Sequence, residues 1–313
     1  MKYTFSRVLR LLAACGLAVA AMSANALAME GIQSPYLKGY RDFLTGVLPP
    51  PGVQVRQDLY VYSGSERSTI PQGQLAVSYK TVTNILGATV VTPYRVFGGD
   101  FGFAVRGAYS DITADQALTP PAPRPAVVRS GSLDAFHDVV ISPVIVGWHA
   151  GNWHWNVSAS VWLPVGAYDK TRLVNTGKNY VAVSPQMGVT YLDPKSGWEF
   201  SGAGIFVTSY YNPATSYRSG DAIHVDLAAG KMLTSQFKLG VVGYWAQQLN
   251  GDSGAGAIFG DRKVRVAGVG PGATFTFVVD AVPVTLVAKY YREFDAQNTT
   301  QGDAGTLSMR VRF

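Results

Sequence analysis

Apolar and polar residues alternate along most of the chain after residue 52, in short segments separated by turns. The pattern is clearest at 153–165, where Trp, Val, Ala and Leu alternate with His154, Asn156 and Ser158. The last residues, 304–313, repeat the pattern and end on Phe313. A two-residue period is typical of a β-strand with one apolar and one polar face.

About twelve such segments are present, which predicts an all-β protein. They lie at 53–62, 74–95, 100–110, 137–148, 153–165, 180–191, 198–210, 220–232, 237–249, 263–279, 283–294 and 304–313. The connections between them alternate in length. Long ones lie at 63–73, 111–136, 166–179, 211–219, 250–262 and 295–303, and each pair of long ones is separated by a short turn. This regularity predicts a transmembrane antiparallel up-and-down β-barrel, with short periplasmic turns and long extracellular loops.

Aromatic residues cluster near the predicted strand ends, which is where amphipathic rings favour the membrane interface. The short-turn group is Trp148, Trp153, Trp155, Trp198 and Phe313, and the long-loop group is Tyr62, Tyr210, Tyr211, Trp245, Tyr290, Tyr291 and Phe294. The alternative, a large β-sandwich, would place these rings in the middle of strands. Two aromatic girdles therefore favour the barrel.

Composition agrees with a membrane barrel. Charged residues make up 15% of the chain, against about 25% in ordinary soluble domains. No apolar run long enough for a spanning helix occurs after the N-terminus. The chain has no basic run, so we expect no nucleic-acid partner.

Residues 1–28 are predicted to be a cleaved signal peptide. Lys2, Arg7 and Arg10 precede an apolar stretch at 11–21, and A-x-A cleavage sites follow. The protein is therefore expected to be exported. Because the single cysteine lies inside this signal, the mature chain has no thiol chemistry.

Residues 29–52 do not resemble a strand, and we interpret them as a pre-barrel segment that could plug the lumen. The spacing of Tyr36, Tyr40 and Phe43 predicts a short helix from Ser34 to Leu44. The barrel itself is predicted to span 53–313.

If the apolar strand faces meet lipid, the polar faces line a lumen. The lumen-lining candidates are Arg106, His154, His224, Asp226, Lys238, Lys289, Glu293, Arg310 and Arg312. Two interpretations stay open: a structural network that holds the barrel rigid, or a permeation path with a weak anion preference. A lumen of about twelve strands suits one small molecule better than open diffusion.

No catalytic, cofactor or metal motif is present, and the sequence predicts none of these sites. Ser253, in the stretch NGDSG at 250–254, would require His224 as its partner for lipid hydrolysis. We consider this enzyme alternative weaker than a channel. A closed-lumen structural or adhesion protein of the outer membrane is the other alternative.

The order of several short motifs resembles the phenol-degradation meta-pathway (MetA-pathway) outer-membrane family, also called SphA-like transporters. The motifs are LPPPG at 48–52, LPVGAYD at 163–169, YRSG at 217–220, HVD at 224–226 and GVGP at 268–271. The resemblance implies a bacterial outer-membrane barrel that takes up small hydrophobic or aromatic compounds. Its expected partners are outer-membrane lipid, the solute and the barrel-assembly machinery, for which Phe313 would be the recognition signal.

Overall fold

The computed structural model describes residues 34–70, 72–257 and 261–313, and within them the chain forms thirteen β-strands. They are β1 (Gly52–Ile70), β2 (Gly73–Val96), β3 (Gly99–Thr119), β4 (Val127–Phe136), β5 (Val139–Ala150), β6 (Trp153–Leu163), β7 (Ala182–Leu192), β8 (Trp198–Ser209), β9 (Ala222–Met232), β10 (Phe237–Gln248), β11 (Arg265–Val279), β12 (Val282–Gln297) and β13 (Gln301–Arg312). No helix among these residues is long and apolar enough to cross a membrane. The predicted signal peptide lies outside the described residues.

Twelve of the strands pair in chain order into a closed antiparallel barrel, because β1 pairs with both β2 and β13. The closing register runs from Gln54 opposite Arg312 to Ser65 opposite Gln301. Since both sheet edges are joined, the wall satisfies its own backbone hydrogen bonds, as hydrocarbon requires. The predicted all-β transmembrane barrel of about twelve strands is confirmed.

Strand β4 is the additional strand and lies outside this cycle. It pairs with Tyr109–Leu118 of β3, whereas β5 pairs with Asp100–Arg106 of the same strand. The ladder along this edge of β3 is therefore interrupted at Gly107 and Ala108. A hydrogen bond of 2.8 Å from the His137 amide to the Ala108 carbonyl bridges the interruption.

Side chains alternate between the lumen and the outer surface along every barrel strand, as the pleat requires. In β1, for example, Asp58, Tyr60 and Tyr62 are buried inside while Leu59 and Val61 are exposed outside. An apolar outer surface around a polar interior is the arrangement of a barrel in lipid.

The predicted long loops at 63–73 and 111–136 are wrong in extent. Strands β1, β2 and β3 continue through most of these residues, and β4 returns as the second strand of a hairpin. The reason is packing: Leu75 and Ile112 on the inner face of this extension are buried in one cluster with Val174. Val174 lies in the long loop between β6 and β7, which therefore folds back over the extension and supports it.

Two of the aromatic rings predicted to lie in the girdles are inside the barrel. Tyr62 and Tyr291 are 3% and 1% exposed and lie inside the lumen, although both were expected at the interface. Their neighbours Tyr290, Trp245 and Tyr210 do lie on the exposed outer surface. The height of a ring along the barrel is therefore an insufficient guide, because strand phase decides which face it occupies.

At the junction between the start of β1 and the end of β13, there is no space for a side chain at Gly52. Its φ is +148°, and an added Cβ would collide with the carbonyl oxygen of Phe313. Val53 and Phe313 exchange two backbone hydrogen bonds, of 3.1 and 2.8 Å. Val53 and Phe313 are thus the last pair of residues in the closing ladder.

We expect deletion of Phe313 to lower the amount of folded barrel in the outer membrane several-fold. The deletion removes a terminal ring that is 68% exposed and both hydrogen bonds to Val53. The shift in electrophoretic mobility between heated and unheated membrane samples measures the folded fraction.

Phe200→Ala is the matched control, because it removes a ring of similar exposure from the outer face of β8. It should leave the folded fraction close to that of the wild type. An equal loss in both variants would contradict a specific role for the C-terminus in assembly.

Candidate functional site

The lumen of the barrel holds residues 34–51, which we call the lumen segment. Its backbone is bound by side chains of the wall rather than by its own helix. Asp226 accepts hydrogen bonds from the amides of Gly39 (3.1 Å) and Arg41 (3.0 Å), and Glu199 accepts one from Leu44 (2.5 Å). The predicted helix from Ser34 to Leu44 is therefore wrong, because wall carboxylates satisfy the donors that a helix would satisfy internally.

Ion pairs attach the lumen segment to the strands on either side of the closing ladder. Asp42 is 3% exposed and pairs with Lys289 at 3.0 Å, with Arg310, and with Arg56 at 3.7 Å. One carboxylate thus meets cations from β12, β13 and β1. A buried charge is tolerated only when it is paired in this way.

A second attachment joins Lys38 to Glu293, with 2.5 Å between Nζ and Oε1. Glu293 also accepts hydrogen bonds of 2.7 Å from the hydroxyls of Tyr62 and Tyr244. Glu293 therefore supplies the acceptor that the buried Tyr62 hydroxyl requires, and this makes the inward position of Tyr62 favourable.

The aromatic ring of Phe43 anchors the segment against the neighbouring strands β9 to β11. Phe43 is 2% exposed, and an added Cβ at Gly230 would lie 2.8 Å from its ring. Lys238 lies over the same ring, with 5.2 Å to the centroid, and forms an ion pair with Glu199. The small residue in β9 thus leaves room for an aromatic side chain from the segment.

The structure places the nine lumen-lining candidates on inward faces, and the lumen segment contacts several of them directly. Asp226, Lys289, Glu293 and Arg310 bond or pair with the segment, and Lys238 reaches it through Phe43 and Glu199. His224 contacts its beginning, with 3.0 Å between Nε2 and the Ser34 hydroxyl. Arg106 and Tyr40 form a cation–π contact of 4.9 Å.

Two candidates lie at the short-turn end. His154 forms a 2.6 Å contact between its Nδ1 and that of His149, whose Nε2 lies 3.6 Å from Asp100. Arg312 occupies the same face of β13 as Arg310, next to the rim. Within the described ranges, no three His, Cys, Asp or Glu side chains group closely enough to hold a metal ion.

The sequence did not reveal several residues of the inner wall and of the lumen segment that fill the lumen with polar contacts. Asp58 and Glu199 are both 0% exposed inside the barrel, and strand alternation alone would have placed them there. Lys38, Arg41 and Asp42 had no such signal, because a segment without periodicity does not show which of its side chains meet the wall.

Beside the lumen segment lies a cavity of about 160 Å³, which we call the tyrosine cavity. It lies between the start of the segment, strands β1, β2 and β3, and the loop between β6 and β7. Its aromatic lining consists of Tyr36, Tyr40, Tyr60, Tyr79 and Trp162. Its charged lining consists of Arg106, Asp138 and Lys178, and His137 also lines it.

The hydroxyl groups of the cavity wall bond to one another. Thr83 Oγ1 lies 3.1 Å from Thr81 Oγ1 and 2.6 Å from Ser110 Oγ, which in turn lies 2.6 Å from Nε2 of His137. These groups are therefore satisfied without a ligand. Gly107 also lines the cavity, although it lies on the outward phase of β3, at the interruption in the ladder.

Two titratable groups between β4 and β5 border the cavity. Burial, with a smaller contribution from the charge of Lys178, lowers the pKa of His137 to about 4, so the imidazole is neutral at neutral pH. Burial raises the pKa of Asp138. The amides of Gly166 and Lys178 oppose that shift by donating hydrogen bonds of 2.9 Å to the Asp138 carboxylate.

A closed antiparallel barrel with an apolar outer surface and a charged, filled lumen defines a transmembrane β-barrel of the bacterial outer membrane. Within that class, the chain belongs to the family described as "Putative MetA-pathway of phenol degradation", whose sequence profile matches residues 63–309. The expected family, fold class and location are therefore confirmed. No curated protein sequence matches the chain significantly.

Solved structures are similar in fold. The COG4313 outer membrane channel from Pseudomonas putida F1 matches with a TM-score of 0.63 and 12% identity, over 85% of this chain and 97% of the channel. The transport unit of the autotransporter AIDA-I from Escherichia coli matches with a TM-score of 0.44 and 13% identity, over 95% and 97%. A Pseudomonas aeruginosa FadL homologue matches with a TM-score of 0.43 and 9% identity, over 93% and 96%.

We expect Asp42→Asn to release the lumen segment from the wall. The change leaves Lys289 and Arg310 without their carboxylate, and breaking a buried pair in this way costs about 3–5 kcal/mol. Hydrogen exchange of the Gly39, Arg41 and Leu44 amides should therefore be at least about 100-fold faster.

Asp303→Asn provides the control, because it breaks a pair with Arg292 on the exposed outer surface. Such pairs contribute about 0–1 kcal/mol, so the same amides should keep their protection. Unchanged exchange in Asp42→Asn would show that the ion pairs do not hold the segment.

Proposed function

We propose that this barrel takes up small hydrophobic or aromatic compounds by passive diffusion across the outer membrane. The tyrosine cavity is the observation that supports the proposal. Its lining of four tyrosines and Trp162 gives apolar surface for a ring, with hydroxyls as polar handles. Pockets that combine apolar walls with a few polar groups are typical of small-molecule sites.

The size of the cavity suits a single ring. A dry cavity of about 150 Å³ is large enough to bind benzene, and the tyrosine cavity measures about 160 Å³. The lumen segment occupies part of the lumen and is bonded to its wall. Selection of one small solute is therefore a better match to this interior than a wide aqueous pore.

The position of the cavity also supports passage through it. On one side it reaches Asn175, Thr176 and Lys178, in the long loop between β6 and β7. On the other it reaches Gly107, where the ladder on the β4–β5 edge of β3 is interrupted. We infer that a solute enters from the long-loop end and leaves the lumen without displacing the lumen segment.

We propose transport rather than lipid hydrolysis. The hydrolase alternative required Ser253 to meet His224. Instead, His224 is 2% exposed and contacts the Ser34 hydroxyl, whereas Ser253 lies in an exposed loop and pairs through its backbone with Arg218. These positions favour a non-enzymatic barrel.

A closed-lumen structural protein is the second candidate, and the lumen segment is the observation that favours it. The segment is attached by ion pairs at Asp42 and Lys38 and by the buried ring of Phe43. In a structural protein the cavity would be a packing defect without traffic. Substitutions that fill the cavity distinguish the two candidates.

Ala108→Phe should lower the uptake of single-ring aromatic compounds several-fold, because it places a ring inside the tyrosine cavity. Uptake of a radiolabelled neutral aromatic such as benzyl alcohol can be measured in cells that lack the native gene and carry the wild type, the variant or neither. A structural protein would show no difference between wild type, variant and empty cells.

Ala88→Phe is the control for the added ring, since Ala88 lies on the outer phase of the neighbouring strand β2. It should preserve wild-type uptake. Equal losses in the two variants would indicate a general defect in the barrel instead of a blocked cavity.

A further inference from the structure

We propose that the tyrosine cavity selects single-ring aromatic carboxylates, with Arg106 as the residue that receives the carboxylate. This inference deepens the proposed function and rests on it. It depends on one observation, which is that Arg106 brings a positive charge into the cavity without an anionic partner.

The other cations around the lumen segment have partners for their charge or hydrogen bonds. Lys38 pairs with Glu293, and Lys289 pairs with Asp42. Arg41 donates to the side-chain oxygen of Gln186 at 2.9 Å. These groups are therefore satisfied by the protein itself.

Arg106 differs from them. In the part of the chain that the structure describes, its guanidinium has no hydrogen-bond acceptor and no carboxylate within 4.0 Å. The guanidinium carbon lies over the Tyr40 ring, 4.9 Å from the ring centroid. The guanidinium carbon of Arg56 also lies 4.2 Å from the centroid of that ring. Tyr40 thus holds the guanidinium at the cavity without using its five donors.

The cavity is also electrostatically suited to an anion. Arg41 lies close enough to Arg106 for their charges to repel each other, which raises the positive potential at this wall. Asp138 is the carboxylate among the lining residues, and the amides of Gly166 and Lys178 already donate to it. It is not paired with Arg106.

The geometry of guanidinium favours a carboxylate among anions of this size. Its planar fork donates two parallel hydrogen bonds to two oxygens of one carboxylate. The rings of Tyr36, Tyr60, Tyr79 and Trp162 then surround the apolar part of the ligand. A benzoate-like molecule has one ring and one carboxylate, and so meets both requirements within about 160 Å³.

Calorimetric titration of the purified full-length barrel in detergent tests the assignment with two ligands of equal shape. Benzoate carries the charge, and benzamide is its neutral counterpart. We expect benzoate to bind at least about tenfold more tightly than benzamide, because hydrogen bonds to charged groups are the stronger ones. In Arg106→Met the ratio of the two affinities should fall to near one.

Arg106→Lys should give an intermediate ratio, because an ammonium keeps the charge but lacks the fork. It also preserves the test if the methionine variant does not fold. Arg67→Met is the matched control, since Arg67 is exposed on the outer phase of β1, and the wild-type ratio should persist there.

The outcomes separate this inference from the function on which it rests. Equal binding of benzoate and benzamide by the wild type would overturn the carboxylate assignment and leave aromatic uptake standing. A tenfold preference that survives in folded Arg106→Met would overturn the role of Arg106. Binding of neither ligand would overturn the proposed function together with the inference.

Discussion

The backbone pairing of β1 with β13 is the constraint on which the rest of the structure depends. A spanning sheet with free edges would expose unpaired amides and carbonyls to hydrocarbon, at several kcal/mol for each group. The register from Gln54–Arg312 onward removes both edges at once. It also brings Arg56, Asp58, Lys289 and Arg310 from neighbouring strands to one side of the lumen, where they face the lumen segment.

Closure creates a second requirement, because it surrounds polar side chains with little water. Residues of the lumen segment supply partners for these polar side chains. Asp42 is shared by three cations, while Glu199 and Asp226 of the wall accept the amides of the segment. These three carboxylates are thus each matched by cations or by backbone donors, and the filling is specified by chemistry as well as by shape.

The sequence was sufficient for the features that follow from strand period and loop length. It predicted the closed barrel, its approximate strand number and the inward face that carries Lys289, Glu293 and Arg310. It failed where long-range packing overrides a local pattern. The inner face of the β1–β4 extension is stabilised by Val174, from a distant loop. The helix predicted at 34–44 does not form, because donors there are satisfied by residues more than 150 positions away.

Under the proposed function, the same filling gives a barrel of this size a means of discriminating among solutes. Twelve strands enclose more space than side chains of the wall alone can occupy, so an empty lumen would pass small polar molecules with little selectivity. The lumen segment occupies part of that space, and the tyrosine cavity lies between the segment and β1–β3. Because Tyr36 and Tyr40 come from the segment, while Tyr60, Tyr79 and Arg106 come from the wall, the cavity exists only when the two are assembled. Under the proposed function, selectivity is therefore a property of the folded segment within the closed barrel, and neither component has it alone.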